Sequence, residues 1–313
     1  MGELDSIFSD DWGEDHRSGI VAVVGRPNVG KSTLINAMLG QKVAITAAKP
    51  QTTRQRQLGI LTRAEGQILF TDTPGMHTPQ TRLGDYMEGV ARRALRDADA
   101  IIWVVDVSQA PTDEDRRIAA LLERLAPGSP IVLVLNKSDL IADDHDRSPH
   151  LALCEHVHAL ETSGTAERGV EELAERLIPL MPRGPRYYPE DQVSDANLRF
   201  LAAETIRERI IHLTSEEIPH AVAVVIDRFR EKPDITIVEA TIYVERGSQK
   251  GIVIGKRGQM IKRVGVEARR ELQRLLNAKV RLETRVKVLK NWRSNEEFMR
   301  RVGYSLPRRR SRG

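Results

Sequence analysis

The apolar positions of the first 180 residues fall into short continuous runs, separated by polar stretches and by stretches of helical period. The runs at 20–24, 100–106 and 131–135 read as strands buried on both faces, because a strand with one wet face would alternate. Residues 58–62 and 67–70 form two further short strands around Ala64-Glu65-Gly66, a hairpin pattern. Residues 34–39, 82–96 and 113–125 read as helices, the last with acidic residues in its first turn, where the helix dipole favours them. Residues 41–56 show no sustained period and contain Pro50, so they predict a loop. Strands alternating with helices predict an α/β domain with a mostly parallel sheet.

Beyond residue 180 the pattern changes. Four prolines within 179–189, with Tyr187 and Tyr188 among them, predict a linker. Residues 197–213 place Leu198, Leu201, Ala202, Thr205, Ile206, Ile210 and Leu213 at helical spacing. Residues 221–229 and 235–244 alternate as half-buried strands, 261–276 is a second helix, and 280–289 alternates again. That order predicts a smaller α+β domain. The divisions that follow are a disordered leader at 1–17, a first domain at 18–182, a linker at 183–194, a second domain at 195–304 and a basic tail at 305–313.

Charge sharpens the division. Residues 1–182 carry 19 Lys and Arg against 27 Asp and Glu, a net −8, whereas 183–313 carry 29 against 17, a net +12. Only the second half is therefore built to meet a polyanion. The 313 residues contain no apolar run near the roughly 20 that span a bilayer. The acidic, polar first 19 residues form neither a signal nor a transit peptide. The single cysteine, Cys154, excludes an intramolecular disulfide and a cysteine-rich metal site, and points to a reducing, cytoplasmic setting.

The candidate chemistry begins at Gly25-Arg26-Pro27-Asn28-Val29-Gly30-Lys31-Ser32-Thr33, between the first strand and the first helix. This is the spacing of a phosphate-binding P-loop: the glycines let successive N–H groups face phosphate oxygens, and the helix N-terminus adds positive potential. Lys31 would reach the β and γ phosphates and Ser32 would hold Mg²⁺. Directly after the second hairpin strand stands Asp72-Thr73-Pro74-Gly75, where P-loop enzymes place the carboxylate on the Mg²⁺ side. The strand at 131–135 ends in Asn136-Lys137-Ser138-Asp139. A carboxylate there can accept from the N1–H and 2-amino group of guanine, a donor pair adenine lacks, while the asparagine covers N7 and the lysine stem packs over the base. Such a site rejects the wrong base because its polar groups would be left unpaired.

Together these strings resemble the motif set of GTPases, over residues 20–180. The resemblance implies that Thr53 completes the Mg²⁺ shell, that Lys31, Thr53 and Gly75 act in γ-phosphate transfer, and that Ser163-Gly164 is the last base-contacting loop, its N–H reaching the guanine O6. A glycine stands at 164 where the family usually has alanine. Met76 occupies the position of the water-orienting glutamine, which implies slow intrinsic hydrolysis. Asn28 falls where potassium-stimulated members ligate K⁺.

In the basic half, Gly255-Lys256-Arg257-Gly258 follows the apolar Ile252–Ile254 and precedes a helix. This resembles the GxxG loop of a type II KH domain, which clamps about four unpaired nucleotides while an adjacent apolar groove takes the bases. The combination, with TTRQRQLGI, GPRYYPEDQVSD and GIVIGKRG, resembles the Era-like GTPase family from about residue 18 to 304. That resemblance implies binding near the 3′ end of 16S ribosomal RNA, a role in 30S subunit assembly, and peripheral membrane association. The alternatives are a constitutive RNA-binding assembly factor whose nucleotide is structural, a membrane-surface adaptor acting through the tail, and an ATPase. The presence of the complete Lys31, Ser32, Thr53 and Asp72 set argues for a switch, since a structural nucleotide needs no switch threonine.

Overall fold

A computed structural model describes residues 15–41, 57–72, 82–195, 197–214 and 218–304; of these, 15–41, 57–72 and 88–195 fall in one compact unit and 82–87, 197–214 and 218–304 in the other. Up to residue 196, β1 (Arg17–Val24), α1 (Lys31–Leu39), β2 (Gln57–Thr62), β3 (Gly66–Asp72), α2 (Arg82–Arg96), β4 (Ala100–Asp106), α3 (Asp113–Leu125), β5 (Ile131–Asn136), α4 (Ser148–Leu151), β6 (His158–Thr162) and α5 (Val170–Leu177) follow in order. The sheet runs β2-β3-β1-β4-β5-β6, with β2 antiparallel to β3 and every other pair parallel.

The continuous apolar runs are explained by burial on both faces. Val21 and Val23 of β1, with Ile102 and Val104 of β4, face a core completed by Leu34, Ile35 and Met38 of α1 and Leu173 and Leu177 of α5. The alternate residues Ala22, Val24, Ile101, Trp103 and Val105 face Ala94, Leu95, Ile118 and Leu122 of α2 and α3. Helix α3 is started by a capping box, in which the Thr112 hydroxyl accepts from the Asp115 N–H and the Asp115 carboxylate accepts from the Thr112 N–H. Because the chain leaves β1 for strands on one side and returns on the other, the loop after β1 lies where the strand order reverses. Open α/β sheets bind ligands there.

The proline-rich stretch after residue 182, the expected linker, is hydrogen-bonded to the first sheet. Gln67, fully buried on β3, accepts from the backbone N–H groups of Tyr187 and Tyr188 at 2.8 and 2.9 Å through one oxygen. Its amide nitrogen donates to the Tyr188 carbonyl and the Thr62 hydroxyl, both at 2.9 Å. Further on, the Ile60 N–H donates to the Val193 carbonyl at 2.9 Å and Gly59 bridges Ser194, so this segment lines the exposed edge of β2. An unpaired edge strand is a liability, and the segment covers it.

In the second unit, α6 (Leu198–Leu213), α7 (Ile218–Ala221), β7 (Ala223–Lys232), β8 (Ile235–Val244), α8 (Gly247–Ile254), α9 (Gln259–Leu275), β9 (Val280–Val288) and α10 (Glu296–Arg301) build a sheet of order β7-β8-β9. β7 and β8 form an antiparallel hairpin, but β9 runs parallel to β8, because α8 and α9 carry the chain across. Ile206 and Ile210 of α6, Val253 of α8, and Val264 and Ala268 of α9 pack on Ala240, Ile242 and Val244. The apolar residues 252–254 form the last turn of α8. Among the described residues no helix is long and apolar enough to cross a membrane.

Gln67→Leu removes four part-buried hydrogen bonds, three of them to the backbone of Tyr187 and Tyr188, so it is expected to cost about 2–4 kcal/mol. Urea unfolding measures the loss, and hydrogen exchange at Tyr187 and Tyr188 should accelerate with it. Unchanged exchange there would show that Gln67 does not hold the segment.

Candidate functional site

At the carboxyl end of β1, Gly25 to Gly30 turn into α1, whose first residue, Lys31, is 6% exposed. The Lys31 ammonium donates to the carbonyls of Gly25 and Arg26 at 3.0 and 2.9 Å, folded beneath the loop. Burial lowers its pKa to about 8; Asp72 opposes that shift and Arg26 adds to it. A buried ammonium held under a turn of backbone N–H groups is a seat for a polyphosphate, which would restore its ordinary basicity. Gly30 is left-handed, φ 100°, and a Cβ on it would lie 2.3 Å from the Asn136 amide nitrogen, so no other residue fits.

Asp72, 1% exposed, ends β3 opposite Val23 of β1. The Ser32 hydroxyl donates to its carboxylate at 2.8 Å. A hydroxyl and a carboxylate at the start of the P-loop helix are hard oxygen donors, and they fit Mg²⁺, which keeps waters and phosphate oxygens for its other positions. Thr53, Thr73, Pro74, Gly75 and Met76 lie outside the described residues.

The base-side loops are joined through one buried side chain. Asn136 ends β5 and is 2% exposed. Its amide nitrogen donates to the Val29 carbonyl at 2.7 Å, while its oxygen accepts from the Thr162 hydroxyl at 3.1 Å and the Gly164 N–H at 3.2 Å. Phosphate loop, guanine loop and the Ser163-Gly164 loop are thus tied at one amide. In this arrangement the Gly164 N–H donates to Asn136, and one Asn136 amide hydrogen serves Val29. The glycine at 164 has a packing reason: a Cβ there would lie 3.0 Å from the Leu34 nitrogen and 3.2 Å from its Cα. Asp139 lies in the turn Ser138–Leu140, exposed, and makes no hydrogen bond or ion pair among the described residues. Asn28 adopts the left-handed conformation, φ 66°, which asparagine tolerates better than most side chains.

Sequence reasoning missed Asp106 and Asp115. Asp106 ends β4 opposite Asn136 and accepts from the Lys137 ammonium at 2.6 Å, the Ser108 hydroxyl at 2.6 Å and the Gln109 amide at 3.3 Å. Burial pushes its carboxyl up, but Lys137 and Ser108 outweigh that and hold it below the usual range. The Arg26 guanidinium, 3.3 Å from Asp115 and 3.8 Å from Asp106, is committed to carboxylates, so Arg26 serves the P-loop through its backbone. The signal available was positional, since Asp106 closes an apolar run just as Asn136 does.

In the second unit the GxxG loop joins α8 to α9. Gly255 has φ 72°, and a Cβ on it would meet the Met260 Cβ at 2.6 Å and the Met260 nitrogen at 2.9 Å. Arg257 is left-handed at φ 52° and Gly258 at φ 76°. Lys256 and Arg257 are exposed and form no ion pair among the described residues, while Val253 anchors α8 in the core and leaves Ile252 43% exposed beside a half-buried Ile254. Two available cations next to an apolar shelf suit phosphates and unstacked bases.

Residues 20–137 match the family described as 50S ribosome-binding GTPase, and residues 217–293 match the KH domain. Fold and site together define a P-loop GTPase joined to a KH domain. The chain is similar to Era crystallised in complex with MgGDPNP and nucleotides 1506–1542 of 16S ribosomal RNA, with 36% identity and a TM-score of 0.87 over 93% of this chain and 100% of that one. An Aquifex aeolicus Era variant bound to GDP·AlF4⁻ gives 36% identity and a TM-score of 0.85 over the same shares. The chain belongs to the Era family.

The Lys31 environment sets a pH dependence. Phosphates bind the charged ammonium, which the empty protein loses above about pH 8, so nucleotide affinity is level on this account below pH 8 and falls above it. GDP affinity measured by calorimetry is expected to weaken about tenfold, or about 1.4 kcal/mol, from pH 7 to pH 9. A flat profile would mean that Lys31 stays charged in the empty protein.

Proposed function

We propose that this protein is a GTP-hydrolysing switch that binds the 3′ region of 16S ribosomal RNA through its KH unit and assists assembly of the 30S subunit. The observation that carries the reading is the end-to-end likeness, at 36% identity, to an Era structure holding both MgGDPNP and a 16S ribosomal RNA fragment. The local geometry supports it: Lys31, folded beneath the P-loop, would seat the phosphates, Ser32 and Asp72, already in contact, would hold Mg²⁺, and Asp139 in its exposed turn would accept from the guanine edge. Bound Mg²⁺ would neutralise charge developing on the phosphate oxygens. This chain's part is to hold the polyphosphate under the P-loop N–H groups, to orient the base, and to keep Lys31 and Asp72 out of bulk water. Thr53 and Gly75 complete the γ-phosphate contacts in this reading, and Met76 makes intrinsic turnover slow. The domain divisions at 18–182 and 195–304 belong to the same proposal, as do a monomeric, cytoplasmic protein and peripheral membrane contact through residues 305–313.

The test is binding of a 3′-terminal 16S RNA fragment in the presence of GTP analogue or GDP. Affinity is expected to be at least about fivefold higher with the analogue, the lower end of a typical coupling. Lys256→Ala with Arg257→Ala should weaken binding and flatten the logarithmic salt dependence by about 1.4, two phosphates' worth on a single strand. Equal affinity in the two nucleotide states would leave the constitutive RNA-binding factor as the better description.

Potassium ligation by Asn28 is a separate part of the proposal, because the left-handed backbone at φ 66° already accounts for an asparagine there. Faster GTP turnover in K⁺ than in Na⁺, lost in Asn28→Gly, is the expected result if the cation binds. Equal rates remove it.

A further inference from the structure

Four charged side chains beside the guanine loop form a nearly closed set: Arg26 from the P-loop, Asp106 from the end of β4, Asp115 from the first turn of α3, and Lys137 from the guanine loop. Asp106 and Asp115 are each 2% exposed, the Arg26 side chain is 14% exposed, and Lys137 is the wettest member at 30%. Two cations and two carboxylates cancel, which is the condition under which buried charges persist. The set joins loops with different tasks. Arg26 lies in the phosphate loop, whereas Lys137 stands next to Asn136 with a left-handed backbone, φ 67°.

We propose that Asp106 is a positioning residue for guanine nucleotide binding: it fixes the Lys137 ammonium so that the lysine stem is held beside the base site, and through Arg26 it locks that stem to the phosphate loop. This rests on the guanine-nucleotide reading given above. The geometry behind it is specific. One Asp106 oxygen takes the Lys137 ammonium at 2.6 Å and lies 3.8 Å from the Arg26 guanidinium. The other oxygen is spent on the Ser108 hydroxyl at 2.6 Å and the Ser108 N–H at 3.1 Å, which orients the carboxylate. A lysine on a four-carbon stem has many rotamers, and an ion pair made from a rigid strand end removes most of them before the nucleotide arrives. Asp106 itself donates nothing and needs no contact with nucleotide; its effect passes through Lys137 and Arg26.

The test is the rate of GDP release by stopped-flow fluorescence for wild type, Asp106→Asn, Lys137→Met and the double variant, with kcat and KM for GTP. Each single change is expected to speed release by about tenfold, and the double by no more than about threefold beyond the faster single, because both remove one coupling. For Asp106→Asn, KM should rise while kcat stays within about threefold of wild type, since no transition-state contact is lost. Multiplicative effects in the double variant, or release from Asp106→Asn within twofold of wild type, would overturn the proposal. A merely structural role would lower thermal stability and leave the effects multiplicative. If Asp106→Asn does not fold, Ser108→Ala replaces it in the cycle: it should speed release about threefold in wild type and not at all in Lys137→Met, and an equal effect in both backgrounds overturns the idea. A wild-type protein that binds no guanine nucleotide fails before any variant is made, and that result strikes the functional reading instead.

Discussion

The nucleotide site depends on the Asn136 amide more than on any other group. It is buried at the end of β5, and a buried amide must find partners or cost the fold about 1–3 kcal/mol for each group left unpaired. Its partners are the Val29 carbonyl in the phosphate loop, the Thr162 hydroxyl at the end of β6 and the Gly164 N–H in the loop after it, so with its own guanine loop Asn136 ties three loops together. None of those loops can shift without breaking a buried hydrogen bond in the others. Phosphate and base recognition are therefore one rigid object, built where the strand order reverses.

Other features of the site follow from that tie. Gly30 must lack a side chain because the Asn136 nitrogen occupies the space a Cβ would fill. Gly164 stands where alanine is usual because its loop is drawn against the first turn of α1. Asp106 lies opposite Asn136 in the β4–β5 register, so the carboxylate that receives Lys137 is placed by the same pairing that places the asparagine. Strand ends rather than loops carry the polar groups, and the apolar runs behind them hold those ends still.

The features written in short segments were legible in the sequence. A strand, GRPNVGKST and a helix arrive in consecutive residues, and NKSD ends an apolar run, so local pattern sufficed for the P-loop and the guanine loop. Pairings made over long separations were not legible. Asp106 and Lys137 stand 31 positions apart and Gln67 and Tyr188 stand 121 apart, so neither contact leaves a local trace. Prolines at 179–189 marked a linker but gave no sign that Gln67 satisfies its backbone and fixes it on the β2–β3 hairpin. Helix α8 was hidden by Gly247, Gly251 and β-branched neighbours, which are poor helix formers. Packing of Val253, together with the Gln249 side chain accepting from the N–H groups of Glu245 and Arg246 at 2.9 and 3.0 Å, overrides that preference.

The central claim is that base and phosphate recognition share one tie, and inorganic pyrophosphate isolates it because it has no base. Calorimetry of Mg²⁺-pyrophosphate and of GDP binding to wild type and Asn136→Ala compares the two pockets directly. Both affinities should fall by at least about tenfold, because the loss of a buried hydrogen bond to Val29 loosens the phosphate loop itself. A pyrophosphate affinity equal to wild type, with only GDP weakened, would make Asn136 a reader of the base alone and contradict the shared tie.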